Sequence, residues 1–398
     1  LTFVNARNDG HLQLQKIQMN KGLIALAFGG MAIGMTEFTM MGILPDIAKD
    51  LEIEIPKAAH LIALYALGVV VGAPTLVLFS GKYPPKTVLM VLMLVFFVFN
   101  ALFAIAPGFF LLEVSRFASG LPHGAFFGVG SVVATNLAKK GKEAQAIATM
   151  FTGMTLANLI GVPLGTYIGH HYSWRITYGI IAFLGLVTFA ALWLWLPVIK
   201  SSNRNLFEQL KYFKKGRSWL LIAIISIGTG GLFAWISYIA PMVTNVSGLP
   251  EGRVPVIMVL VGLGMVIGNL LGGKLADAVN PTKATIICFS SMAICLVAVH
   301  FTAEIESMAY VMAFVTGVIS FSAGSPIQMM LIRDAKGAET FAASAGQASF
   351  NMGNTLGAYF GGIPITMGFA YDTPVLVGVG MAAIGVMLTV AFLRTQRK

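Results

Sequence analysis

Four residues able to carry charge or a proton lie inside long apolar stretches of the chain: Glu37, Glu113, Arg116 and His123. In surroundings without water an ionisable side chain costs at least about 2.5–3.5 kcal/mol to insert, so each is a functional candidate by default. Positions 113, 116, 120, 123 and 127 recur at helical spacing, which puts Glu113, Arg116 and His123 on one face that Gly120 opens sterically. A carboxylate shielded from water favours its protonated form, and a neighbouring cation favours the ionised one. Glu37 with Arg116 as partner can therefore bind and release a proton. The same two residues can equally form a permanent ion pair that fixes helix packing, as can Glu113 with Arg116. His123 lies between Pro122 and Gly124, where it can relay protons, contact a substrate, or bond a backbone group freed at a bend.

Uncharged polar residues mark a second kind of chemistry. Thr36, Thr155, Asn158, Trp235, Ser237, Tyr238, Ser320, Ser325, Gln328, Gln347, Asn351 and Asn354 punctuate the apolar runs. Amides and hydroxyls beside an aromatic platform suit a polar, uncharged ligand such as a sugar. The alternative is interhelical hydrogen bonding, worth only about 0.6 kcal/mol per bond. Other chemistries find little. His170 and His171 are consecutive, point apart on a helix and have no third ligand nearby, so with Tyr172, Trp174 and Arg175 they read as an interfacial anchor rather than a metal site. Cys288 and Cys295 read as small hydrophobes. Gly128 and Gly130 lack the strand–helix context of a phosphate loop, and no nucleophile–base set is evident, so no nucleotide or other cofactor is implied.

What holds these residues is a lipid-solvated scaffold. Apolar residues make up 57% of the 398 and charged residues 11%, far below the roughly 25% charge of a soluble domain. Runs long enough to span a bilayer lie near 22–44, 58–80, 86–106, 108–136, 143–168 and 174–197, then near 218–245, 253–276, 284–303, 307–332, 340–366 and 374–393. The tightest divisions fall at Ala106–Gly108 and at Thr302–Ser307. Alternating strand patterns are absent, which excludes a barrel. An even number of spans leaves both termini on one side. That side carries 21 of the 26 Lys and Arg residues, the other 4, with Arg116 alone inside a span. The net charge of +10 is thus a topology signal rather than a nucleic-acid surface, and it places both termini in the cytoplasm.

The chain reads as two related units. Residues 1–20 form a polar leader, of which residues 1–18 are expected to take no part in the fold. Residues 21–197 form a first six-helix bundle, 198–217 a basic amphipathic linker (Phe207, Leu210, Phe213), and 218–398 a second bundle. Gly161, Leu164, Gly165, Tyr167 and Gly169 match Gly353, Leu356, Gly357, Tyr359 and Gly361 at an offset of 192. Leu67, Gly68, Val70 and Gly72 match Leu263, Gly264, Val266 and Gly268 at an offset of 196. The second register sets Gly81 opposite Asp277 and Pro85 opposite Pro281. Pro163, Gly165 and Gly357 are read as residues that bend and pack helices.

The motifs resemble a known family. Gly34-Met35-Thr36-Glu37-Phe38, continuing to Gly42, Pro45 and Asp46, is similar to the first-span signature of the drug:proton antiporter group of the major facilitator superfamily. Tyr65 to Pro74, Gly120 to Gly130 and Gly153 to Asn158 resemble its arabinose-inducible efflux branch, as do Phe233 to Tyr238 and Leu260 to Asn269. The likeness covers roughly 21–393. It implies twelve helices in two pseudo-twofold bundles around a central cavity lined by helices one and four, working as a monomer in a bacterial inner membrane. It also implies proton-coupled export of a small molecule, such as a sugar or short saccharide, with the proton gradient as energy source. Broad drug efflux is the rival within transporters. A membrane sensor or an intramembrane enzyme is a remote alternative, because the ends are too short for an output domain and only His123 approaches catalytic chemistry. There are departures: the family's first-loop aspartate is missing at Phe79 to Lys86, whereas Gly273 to Asp277 keeps its counterpart without the following arginine. The interdomain charge lock that this loop implies in relatives thus lacks its aspartate on the Gly81 side, while Asp277 remains a conformational candidate.

Overall fold

The computed structural model describes residues 20–53, 55–199, 211–214 and 216–395, so the leader (Asn20 apart) and most of the linker lie outside the described residues. Among these, twelve long helical segments run in order: α1 Lys21–Asp50, α2 Ile55–Ser80, α3 Pro85–Ile105, α4 Phe109–Leu137, α5 Glu143–His171 and α6 Trp174–Trp195. Then follow α7 Gly216–Asn245, α8 Val254–Ala278, α9 Pro281–Thr302, α10 Glu306–Asp334, α11 Glu339–Thr366 and α12 Thr373–Thr395. In hydrocarbon every backbone polar group must be satisfied within its own segment, which leaves the helix as the solution for runs of this kind.

Local chemistry sets the ends. Asn20 caps α1 by accepting from the Gly22 amide at 2.9 Å, and Asn280 caps α9 from Thr282 at 2.9 Å. Pro85 and Pro281, equivalent in the repeat, both open helices, where a missing N–H costs nothing. Both tight divisions resolve into separate helices.

Eleven of the twelve segments are apolar enough to span a membrane by composition alone. The exception is α11, whose 28 residues include Gln347, Asn351, Asn354 and a row of glycines. Its first part, Phe341–Ser349, is largely buried against other helices. Three segments are interrupted. A π turn at Ala157–Gly161 precedes Pro163 in α5, because proline cannot bond back to the preceding turn. Breaks in α7 near Ser237 and in α10 near Ala323 precede Pro241 and Pro326 in the same way, and α7 has a further break near Thr229.

Packing repeats with a shift of six. In the first set α1 packs on α5 and α6, α2 on α4, and α3 on α6; in the second α7 packs on α11 and α12, α8 on α10, and α9 on α12. Two seams join the sets, α5 against α8 and α10, and α11 against α2 and α4. Both are tight near the end that carries the chain termini. There a Cβ on Gly273 would press on the Ala148 side chain, Gly128 abuts Ser344, and Asn269 Nδ2 donates to the Ala148 carbonyl at 2.6 Å. Beyond the π turn, the outer part of α5 (Val162–His171) packs back on α1 and α6 and leaves the seam.

Candidate functional site

The charged residues gather in the first set. Arg116 is 1% exposed, yet no carboxylate among the described residues holds it. Its Nε donates to the Leu61 carbonyl at 3.2 Å, and one terminal nitrogen donates to the Thr36 carbonyl at 3.1 Å, the Thr36 hydroxyl at 3.2 Å and the Tyr178 hydroxyl at 3.3 Å. Thr36 in turn donates to Asn100 Oδ1 at 2.6 Å, and Asn100 donates to the Phe96 carbonyl. Tyr65 lies with its ring 4.4 Å from the guanidinium carbon, and Phe103 and Tyr178 at 5.8 Å complete an aromatic cage. A planar, delocalised cation suits such a cage better than an ammonium would.

Glu37 follows Thr36 on α1. Its side chain is 13% exposed, and its Oε2 lies 4.0 Å from His123 Nδ1. That oxygen is buried and finds no hydrogen-bond partner among the described residues, and neither does His123 Nε2. His123 Nδ1 is instead bonded to the Tyr65 hydroxyl at 3.1 Å. The expected Glu37–Arg116 ion pair is not formed here: main-chain carbonyls and Thr36 take the guanidinium donors, and Arg116 acts on Glu37 only through space. The alternative Glu113–Arg116 pair is not formed either, since Glu113 lies 3.8 Å from the exposed His60 near the helix ends.

The polar residues divide. A cavity with about 710 Å³ of empty space, its open mouth included, lies on the seam, lined by α5, α7, α8, α9, α10 and α11. Gln328 and Gln347 line it, together with Thr229, Asn269 and Ser320 and an apolar wall that includes Phe151, Met154, Phe289, Met292 and Phe350. Gln328 also crosses the seam to the Ser131 hydroxyl at 3.0 Å. Thr36 belongs to the Arg116 cage. Asn158 and Asn351 bond back to carbonyls one turn earlier, at 3.2 and 3.0 Å. Trp235 is buried within the second set beside a small apolar pocket, and Tyr238 donates to the Ala358 carbonyl at 2.7 Å. These five do not line the cavity.

The remaining candidates are structural in placement. Thr177 donates to the Gly165 carbonyl at 2.8 Å, and Gly357 fits against the Gly230 carbonyl and Phe233. Asp277 accepts from the Ala144 and Gln145 amides, both at 3.0 Å, and so sits on the N-terminus of α5 across the seam. His170 pairs with Asp46 at 2.6 Å, while His171 bonds the Tyr167 carbonyl and stacks on its ring. Asn100, Tyr178, Phe151 and Asn269 are participants that sequence reasoning did not single out. Asn100, an amide alone in the apolar α3 run, carried a usable signal; the aromatics did not.

A bundle of this plan, with a shielded cluster of ionisable groups in one set and an uncharged cavity on the seam, is the architecture of a membrane transporter. The chain belongs to the Major Facilitator Superfamily, whose family model matches residues 26–346. It is 39% identical over 355 residues to AraJ of Escherichia coli (strain K12), covering 89% of this chain and 90% of AraJ. It is 37% identical over 382 residues to the inner membrane transport protein YdhP of the same strain, covering 96% and 98%. The solved structure of the E. coli fucose:proton symporter FucP superposes with a TM-score of 0.75 over 93% of this chain and 98% of FucP, at 14% identity, so the fold persists where sequence does not. The chain is therefore a multi-pass transporter rather than an enzyme, of the kind found in bacterial inner membranes.

Proposed function

We propose that the protein is a proton-coupled exporter of a small uncharged molecule, working as a monomer by alternating access with both termini in the cytoplasm. The observation that carries this reading is the Glu37 carboxylate. One of its oxygens is buried without a hydrogen-bond partner among the described residues, beside His123 and within reach of the fixed Arg116 charge. A structural carboxylate would be fully bonded, whereas one that must take and lose a proton in alternating states is served by a loose setting. His123 and Tyr65 are the groups next to Glu37. Asp277 on the α5 N-terminus holds the terminal end of the seam shut, which leaves the cavity to open toward the other side.

The cavity lining supports an uncharged substrate, since none of its residues is ionisable. Three amides, Asn269, Gln328 and Gln347, and hydroxyls at Thr229 and Ser320 line it, with Phe151 and Phe350 as platforms. A sugar or short saccharide fits that set: hydroxyls to the amides, C–H faces to the rings. The apolar majority of the wall favours a second reading, export of neutral amphiphilic drugs. A thermal-shift screen of neutral sugars against neutral and cationic drugs separates the two, because only a bound ligand raises the transition temperature.

The coupling claim is tested in liposomes. Glu37→Gln is expected to abolish transport driven by a pH gradient while leaving ligand binding and ligand exchange intact. Gradient-driven pumping at the parent rate would remove Glu37 from the mechanism.

A further inference from the structure

The proton cluster and the cavity do not touch directly. Glu37 and Tyr65 lie on α1 and α2, whereas the cavity is walled by α5 and the second set. A transporter that couples them needs a physical connection between the two. One continuous row of rings spans the distance. His123 packs on Phe127, one turn further along α4, with centroids 5.4 Å apart. Phe127 stacks on Phe151 of α5 at 4.8 Å, with ring planes only 4° from parallel. Phe127 is fully buried and further wedged by Phe126 at 6.0 Å, and Phe151 forms part of the cavity wall.

We propose that Phe127 and Phe151 are positioning residues that transmit the protonation state of the Glu37–His123–Tyr65 cluster to the cavity wall. The inference rests on the reading of Glu37 as the proton-binding group. The step at the cluster is a choice of hydrogen bond. His123 Nδ1 is bonded to the Tyr65 hydroxyl, with Glu37 Oε2 4.0 Å away. When Glu37 takes up a proton on Oε2, it acquires an O–H that competes with Tyr65 for Nδ1; when the proton leaves, the original bond returns. No other bond is made or broken. Changing partner rotates or shifts the imidazole, and a close-packed interior transmits such a shift rather than absorbing it. The backbone beneath His123 can yield, because Pro122 lies inside α4 and removes a helical hydrogen bond one turn back. Of the charged and titratable groups around the cluster, Arg116 and Tyr178 are committed to the Thr36 cage, so the exchange is left to Glu37, Tyr65 and His123.

α4 also meets the second set along the same stretch. A Cβ on Gly124 would lie 3.6 Å from Gln347, Gly128 abuts Ser344, and Ser131 accepts from Gln328. Gln328 and Gln347 are cavity residues. A movement of this part of α4 thus reaches the wall on both sides.

The test needs no known substrate. The two buried cysteines, Cys288 and Cys295, are replaced by alanine, and Thr229→Cys on the cavity wall carries an environment-sensitive fluorophore. In the same full-length protein, the infrared carbonyl band of protonated Glu37, identified by its loss in Glu37→Gln, reports the proton directly. In the parent, the label signal is expected to follow that band as pH changes. In Phe127→Leu and Phe151→Leu the band should still titrate while the label response falls to baseline. Phe151→Tyr, which keeps the ring, should restore it. If the label still follows the band in both leucine variants, or fails to follow it in the parent, the relay is overturned. If no band assignable to Glu37 titrates at all, the proton-site reading falls and the relay falls with it. Phe127→Met, closer to phenylalanine in length, repeats the measurement if Phe127→Leu does not fold.

Discussion

The two six-helix sets share one packing plan and hold different things inside it. The main helix pairings of the first set recur six helices later in the second, and the seams between them follow the same twofold rule. Yet Glu37, Arg116 and His123 all belong to the first set, while the cavity amides Asn269, Gln328 and Gln347 belong to the second. The latch is unequal too. Asp277 caps α5, while its repeat partner is Gly81, which has no carboxylate to offer α11. The shared frame carries the ionisable cluster in one set and most of the cavity wall in the other. On the proposed reading, the proton site and the substrate site stay distinct and yet linked by lying in different sets.

The largest expected effect breaks the first set at its centre. Arg116→Ala leaves the Leu61 and Thr36 carbonyls, the Thr36 hydroxyl and the Tyr178 hydroxyl short of a buried donor. Each buried acceptor left without its donor costs about 1–3 kcal/mol, so little folded protein should be recovered from membranes. Arg116→Lys should rescue poorly, because an ammonium cannot match the fork and the ring faces. Near-parental yield and transport in Arg116→Ala would mean that the cage is not what holds α1, α2, α4 and α6 in register.

A smaller effect is expected at the latch. Asp277→Ala removes two hydrogen bonds and a charge from the α5 N-terminus, a loss of about 1 kcal/mol. That is roughly a fivefold shift toward states open at the terminal end. The rate at which a maleimide modifies Gln145→Cys, beside the latch, should rise by about that factor. An unchanged rate would show that close packing at Gly128 and Gly273 closes the seam without the carboxylate.

The comparison of halves also explains what could be read in advance. Span number and repeat register were legible because lipid and duplication leave marks at every position, in apolar length and in recurring glycines. Asp277 stood out in the sequence because its counterpart is missing at Gly81, but its seat on the α5 N-terminus did not. The Glu37–Arg116 pair was misjudged for a physical reason: a guanidinium can be satisfied by main-chain carbonyls, and Leu61 and Thr36 offer them without any mark in their side chains. The cavity wall was half legible. Gln328 and Gln347 stand out as amides in apolar runs, but Phe151 and Phe350 look like any packed ring until α5 and α11 are set against the seam. The weak apolarity of α11 belongs to the same account, since a helix that faces partners and a cavity need not resemble one that faces lipid.

The smallest effect sharpens the boundary between wall and frame in the second set. Tyr238 has the composition of a ligand platform, but its hydroxyl ties α7 to the Ala358 carbonyl of α11, and Gly361 and Gly362 fit against its ring. Tyr238→Phe keeps the ring and deletes only that bond. Such a bond in a membrane bundle is worth about 0.6 kcal/mol, so the transition temperature should fall by no more than about 2 °C. Transport KM should stay within about twofold of the parent, whereas loss of a direct substrate hydrogen bond, at about 1 kcal/mol, would raise it about fivefold. A rise of that size with unchanged thermal stability would move Tyr238 from the frame to the wall. It would also extend the ligand path outward along α7, past the break near Ser237, beyond the cavity that Gln328 and Gln347 define.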